Sequence, residues 1–194
     1  MSKKPFNMGT VWGRIIETKD IQDDKRHLSL HIGCMGKSGN VHVYGTMWND
    51  DKISSLLTQH KKDPNQMFRF RGFFSQYLPT NKTQRLTNFR FYQWDVAPGH
   101  EPRAAFIMRG EIVSTEEKGD KGVVNLLLLH PAQSGYKETK EDFELWVPEE
   151  RLLGSLITGR FYEVKGLLQQ GDGEDFYGQA KGDVRPYILS VEEV

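Results

Sequence analysis

The chain has 194 residues, 37% of them hydrophobic, which allows one domain or two small ones. No window of 18 apolar residues occurs, so the sequence contains no candidate membrane span, and a single cysteine, Cys34, excludes an intrachain disulfide and a cysteine zinc cluster. The N-terminal segment has lysines but no apolar run of the signal-peptide type, so we expect a cytoplasmic protein without a membrane partner.

The net charge of zero conceals an asymmetry between the two ends of the chain. Residues 1–100 carry 15 basic against 8 acidic side chains, a net charge of +7, whereas residues 101–194 carry 11 against 18, a net charge of −7. Such a separation favours binding of a polyanion by the basic part.

Three strands are predicted before the first helix. Apolar and polar side chains alternate along residues 9–16, 27–33 and 41–48, and a period of two indicates half-buried strands. Glycines and an asparagine within 35–40 supply a hairpin turn. The outward positions carry aromatic, histidine and arginine side chains rather than the usual small polar residues: Trp12, Arg14, His27, His31, His42, Tyr44 and Trp48.

A helix and two further strands follow. Ile53, Leu56 and Leu57 have helical spacing within residues 50–60. Residues 67–74 and 88–94 alternate again, with Arg69, Arg71 and Phe73 predicted to face outward. Between them lies a long polar loop that contains Tyr77, Lys82 and Arg85, and a linker with two prolines follows at 97–103.

The second part of the chain repeats the first. Residues 149–170 have the same pattern as 50–76: an amphipathic helix, then an aromatic-rich strand with a central glycine and a glutamine near its end. Strands are predicted at 105–113, 123–130, 143–147, 160–169 and 187–191, with a helix at 148–156. We therefore expect two domains, a basic one at 1–98 and an acidic one at 104–194.

The order of three strands, a helix and two strands resembles the OB-fold, and specifically the single-stranded DNA-binding proteins of bacteria, plasmids and phages. The resemblance implies an all-β fold with short helices, built as two tandem five-stranded OB-fold barrels. It implies non-sequence-specific binding of single-stranded DNA in DNA replication, recombination or mobile-element maintenance, with no cofactor. Two predicted barrels differ from the usual one barrel per chain of this family, and the sequence ends in SVEEV, where that family has a glycine-rich tail with an acidic tip.

The OB-fold binding face and the charge pattern together predict the binding residues. Rings stack on bases of any sequence, while basic side chains neutralise phosphates. The predicted nucleic-acid-binding residues are Trp12, Arg14, His31, His42, Tyr44, Trp48, Arg69, Arg71, Tyr77, Lys82 and Arg85. The second barrel has an acidic loop at 171–176, so we expect it to serve packing or oligomerisation, with a second binding barrel as the alternative.

The sequence gives little support to a metal site or an enzyme. The three histidines of the outward faces lack a further ligand at a fixed spacing, and Asp172 to Asp175 lack the ligand spacing of a calcium loop, so no metal site is predicted. No catalytic motif occurs, so an enzyme is not expected. Two alternatives stay open: an RNA-binding OB protein, and an assembly module that forms homo-oligomers through its opposite charges or binds replication or recombination proteins.

Overall fold

The computed structural model describes residues 5–20, 27–36, 39–48, 50–80, 85–118, 121–130, 138–170 and 184–194. The first half consists of β1 (Phe6–Asp20), β2 (His27–Gly36), β3 (Gly39–Trp48), α1 (Asp50–Lys62), β4 (Phe68–Tyr77) and β5 (Leu86–Val96). The second half consists of β6 (Arg103–Lys118), β7 (Lys121–His130), β8 (Thr139–Val147), α2 (Glu150–Gly154), β9 (Phe161–Gln170) and β10 (Val184–Glu193). The predicted mainly-β chain with short helices is confirmed.

The five strands of the first half close into a barrel. β1 pairs with β2, β2 with β3, β4 with β5 and β4 with β1, all antiparallel, and a parallel contact between β3 and β5 completes the ring. The inward side chains predicted from the alternation fill the interior, with no exposed surface on Phe68, Phe70, Phe74 or Phe89. Buried rings of this size dominate the hydrophobic contribution to stability.

Two glycines allow the barrel strands to approach closely. A Cβ atom at Gly45 would lie 2.0 Å from the carbonyl oxygen of Phe89, and one at Gly72 would lie 2.0 Å from that of Arg90. At Gly72 the pairing of β4 with β5 shifts, which leaves Tyr92 as the extra residue of a β-bulge.

Helix α1 covers one end of the barrel with Ile53 and Leu56, which are both buried. Its start is held to β5, since the indole N–H of Trp94 donates to the carbonyl of Lys52 at 2.9 Å and Lys52 Nζ donates to the carbonyl of Tyr92 at 2.7 Å. In the part of the chain that the structure describes, no helix has the length and apolar character needed to cross a membrane.

The second half repeats this pairing order less completely. β6 pairs with β7 and β9, β7 with β8, and β9 with β10, while β8 and β10 meet at one residue pair, Trp146 and Tyr187. Helix α2 has five residues, fewer than the sequence predicted. A closed second barrel therefore stays a prediction.

The two halves are joined through one continuous sheet rather than through the linker alone. β1 and β6 pair antiparallel from Phe6–Arg109 to Trp12–Arg103, within a ten-stranded sheet. Because β1 and β6 are corresponding strands that run past each other about the Gly9–Phe106 pair, the halves are related by an approximate twofold axis, as in a symmetric dimer.

Candidate nucleic-acid interface

Three predicted binding residues form one compact cluster on β2 and β3. The ring of His31 stacks on that of Tyr44, with centroids 4.4 Å apart, and His31 Nε2 and His42 Nδ1 share a hydrogen bond of 2.7 Å. Tyr44 is 5% exposed and His31 is 8% exposed. The expected exposure of these two rings is therefore not observed.

The burial of this cluster accompanies contacts from the second half. β9, β10 and β6 all approach β3. A strand that looks half-exposed in the sequence of one barrel thus acquires neighbours from the other. Phe73 behaves similarly: it was predicted to face outward, yet it is buried, and its strand β4 contacts β8 of the second half.

The more open part of the same face is a cluster of His27, Trp48 and Arg90, which we call the Trp48 cluster. The guanidinium carbon of Arg90 lies 5.0 Å from the centre of the Trp48 ring, and the His27 ring meets that indole edge-on at 5.6 Å. Trp48 and His27 are half-buried, as is Arg90. A half-covered indole beside a cation combines the two features that hold a base and its phosphate.

A second group of predicted residues lies around the barrel on β1 and β4. Trp12 is flanked by Arg69 on β4 and by Arg103 on β6, whose guanidinium carbon lies 4.5 Å from the indole centre. The charge of Arg69 is compensated by Asp95, which accepts from its Nε at 2.9 Å and from its Nη2 at 2.7 Å. Arg14 is exposed and Arg71 half-buried, and within the described ranges neither forms an ion pair.

The third group is the base of the hairpin between β4 and β5. Tyr77 is 44% exposed, and Arg85 Nη1 donates to the main-chain carbonyl of Asp142 in the second half. Lys82 and the acidic loop at 171–176 lie outside the described residues. The structure thus divides the predicted site into three separate groups instead of one face.

Three residues beside the predicted site are not among the residues that the sequence predicts to bind. They are His27, Arg90 and Arg103. For His27 and Arg103 the missing signal is cross-strand register, because His27 pairs with Trp48 and Trp12 with Arg103. Register between distant strands cannot be read from alternation alone.

The second half also carries rings beside cations. The guanidinium carbon of Arg185 lies 4.4 Å from the centre of the Trp146 ring, and Lys121 Nζ lies 5.2 Å from the Tyr187 ring. These strands, β7, β8 and β10, correspond to β2, β3 and β5 of the first half. Of these two rings, Tyr187 is buried and Trp146 is half-buried, so Trp146 is the one with partial exposure.

Two titratable groups have environments that fix their protonation. Burial raises the pKa of the Cys34 thiol to about 12, so the thiol is protonated and unreactive at neutral pH. A hydrogen bond from Arg109, with a second from Lys165, holds the pKa of Glu163 below its ordinary value of 4.5. Among the described residues, no three His, Cys, Asp or Glu side chains are grouped to hold a metal ion.

Comparison with known proteins identifies the fold. No protein-family model matches the chain, and no curated protein matches it significantly. The solved structure of the wild-type single-stranded DNA binding protein from Thermus aquaticus is similar, with a TM-score of 0.64 at 13% identity over 98% of this chain and 94% of that one. A deletion mutant of the same protein gives a TM-score of 0.60 at 14% identity over 100% and 96%. The architecture of this chain is thus that of an OB-fold protein and is similar to that of these single-stranded DNA binding proteins.

Proposed function

We propose that the chain binds single-stranded DNA without sequence preference in the cytoplasm, in DNA replication, recombination or mobile-element maintenance. The Trp48 cluster carries this proposal, because it offers a ring and a cation together on the β2–β3 face of a closed five-stranded barrel. Support also comes from the two similar structures, which are named as those of a single-stranded DNA binding protein.

In the proposed mechanism, a base stacks on Trp48 while arginines neutralise phosphates on either side. Arg90 belongs to the cluster itself, whereas Arg14, Arg71 and Arg85 extend the basic surface around the barrel. Arg69 contributes less, since Asp95 already compensates its charge. One stacked base contributes about 1–3 kcal/mol, and each phosphate contact adds salt dependence.

We further propose that residues 1–98 and 104–194 are two OB units of unequal role. In this proposal the second unit is a less completely closed barrel that packs against the first and carries no catalytic step. The Trp146–Arg185 pair favours a second candidate role, in which the acidic half also stacks a base. Tryptophan substitutions in each half distinguish the two roles.

The test is titration of the full chain with oligo-dT while tryptophan fluorescence is followed at two salt concentrations. We expect quenching of the fluorescence. With about four arginine–phosphate contacts, the slope of log affinity against log salt concentration should be roughly −3. Double-stranded DNA should compete weakly, and competition by oligo-U measures any preference for RNA. An absence of quenching at micromolar oligo-dT contradicts the proposal.

A further inference from the structure

The hairpin between β4 and β5 is attached to the second half by an unusual contact. The Gln76 side chain donates through Nε2 to the carbonyl of Glu144 at 2.9 Å and accepts from the N–H of Glu144 at 2.7 Å. A primary amide in this position bonds to β8 in the way that a neighbouring strand would. Gln76 is half-buried, so loss of these bonds would leave polar groups poorly satisfied.

Two further bonds hold the same hairpin on the same strand. The main-chain N–H of Gln76 donates to Glu141 Oε1, and Arg85 donates to the carbonyl of Asp142. Within the hairpin, Gln76 Nε2 also lies 3.3 Å from the hydroxyl of Thr87. Both sides of the hairpin base are therefore bonded to β8, at Glu141, Asp142 and Glu144.

These bonds leave the charge of Arg85 available. Its acceptor is a neutral carbonyl, and in the described part of the chain no carboxylate forms an ion pair with it. Arg85 directly precedes β5, on which Arg90 lies five residues further along, a distance of about 16 Å at the rise of an extended strand. Both cations thus fall within the roughly 4–16 nucleotides that one OB fold covers.

We propose that Gln76 is a positioning residue for nucleic-acid binding, and that β8 of the acidic half is the brace on which it acts. The brace holds the hairpin base so that Arg85 meets a phosphate of the strand bound at the Trp48 cluster. This inference rests on the proposed function. It assigns the second half a part in binding that does not require it to touch nucleic acid.

The decisive variant is Glu141→Ala, with Glu138→Ala as its matched control. Both changes remove one negative charge from the second half, and simple electrostatics predicts slightly tighter binding of a polyanion in each case. Of these two glutamates, only Glu141 accepts a hydrogen bond from the hairpin base among the described residues. We expect Glu141→Ala to weaken oligo-dT binding by about 2- to 10-fold, whereas Glu138→Ala leaves it unchanged or slightly tighter.

Coupling to Arg85 separates positioning from general damage to the fold. Arg85→Ala should reduce the steepness of the salt dependence by about 0.7, the value for one phosphate contact with a single strand. Gln76→Ala should produce the same change, and the double variant should be no weaker than Arg85→Ala alone. Hydrogen exchange should accelerate in the hairpin of Gln76→Ala and not in the barrel core.

Each outcome has a distinct meaning. If the wild-type chain does not bind oligo-dT, the proposed function itself is wrong. If the wild type binds but Glu141→Ala equals Glu138→Ala, or if the losses from Gln76 and Arg85 simply add, the positioning role is overturned while the function stands. Should Gln76→Ala fail to fold, Glu141→Ala decides the question because it leaves the first half intact.

Discussion

The two halves of the molecule share a strand order and differ in the chemistry of their outer faces. Counting from the β-bulge that follows Ile15 in β1 and Ile112 in β6, the His31–Tyr44 pair of the first half corresponds to Asn125–Glu144 in the second. Two stacked rings are thus replaced by an amide and a carboxylate.

A second pair of outward residues, on the other side of each half, also differs in chemistry. Trp12 lies opposite Arg69 between β1 and β4, and the corresponding pair between β6 and β9 is Arg109 opposite Glu163. The comparison teaches that the inward positions, which the core constrains, preserve the fold, while the outward positions change chemistry. In each of the two pairs, the second half has one carboxylate that the first half lacks.

The largest expected effect tests whether the two backbones are equivalent. Gly72→Ala and Gly166→Ala should each destabilise the protein by about 3 kcal/mol, because the added Cβ would lie 2.0 Å from a carbonyl of the adjacent strand in both halves. Chemical denaturation monitored by circular dichroism measures the loss. Gly154→Ala is the control, since nothing lies within 4 Å of its Cβ, and a tolerated Gly166→Ala would break the equivalence.

The next effect tests whether the two faces differ in function. Trp48→Ala should weaken oligo-dT binding by about 1–3 kcal/mol, the contribution of one stacked base. Trp146→Ala should change it little if only the first half binds. Fluorescence titration of both variants compares them directly, and an equal loss in both would show that the acidic half binds as well.

A smaller effect tests the ion pair between Arg109 and Glu163 in the second half. The pKa of Glu163 is lowered in the folded protein by Arg109, so its contribution to stability is present above the unfolded value and is lost as the pH falls through the folded one. The stability difference between wild type and Glu163→Gln should therefore shrink as the pH is lowered from about 5 to about 3. Thermal unfolding across that range measures it, and a constant difference would exclude this ion pair as the cause.

The smallest expected effect is on Cys34 in the first half, which should not react with a thiol reagent while the protein is folded. Cys34 has no exposed surface and a pKa of about 12, so a thiol reagent at pH 8 should modify it only as fast as the first barrel opens. Modification rates followed by mass spectrometry, in wild type and in Gly72→Ala, would compare this opening. Rapid labelling of the folded wild type would contradict the described burial.

Much of the fold was predictable because local alternation reports which side chains face a core. The inward positions of Phe68, Phe70 and Phe74 follow from period-two spacing and are confirmed. The exposure of Tyr44 and Phe73 was not predictable in this way. Both are on outward positions of the first barrel and are nevertheless buried, and their strands β3 and β4 are approached by strands of the second half.

The candidate site was predictable in composition and not in arrangement. The sequence indicates aromatic and basic side chains on outward positions. It does not show that Arg90 lies over Trp48 or that Asp95 compensates the charge of Arg69, because both contacts join residues more than 25 positions apart. Nor does it show that the side chain of Gln76, near the end of β4, forms hydrogen bonds with the main chain of Glu144 in the other half.

The sequence by itself determined the repeated order of strands and helices, the inward cores and the opposite charges of the two halves, because each is a property of neighbouring residues. Only the tertiary structure decided which outward rings remain accessible, which cations stay uncompensated and how the halves brace each other. Those features depend on the register between strands distant in the chain, and the antiparallel pairing of β1 with β6 sets that register across the junction.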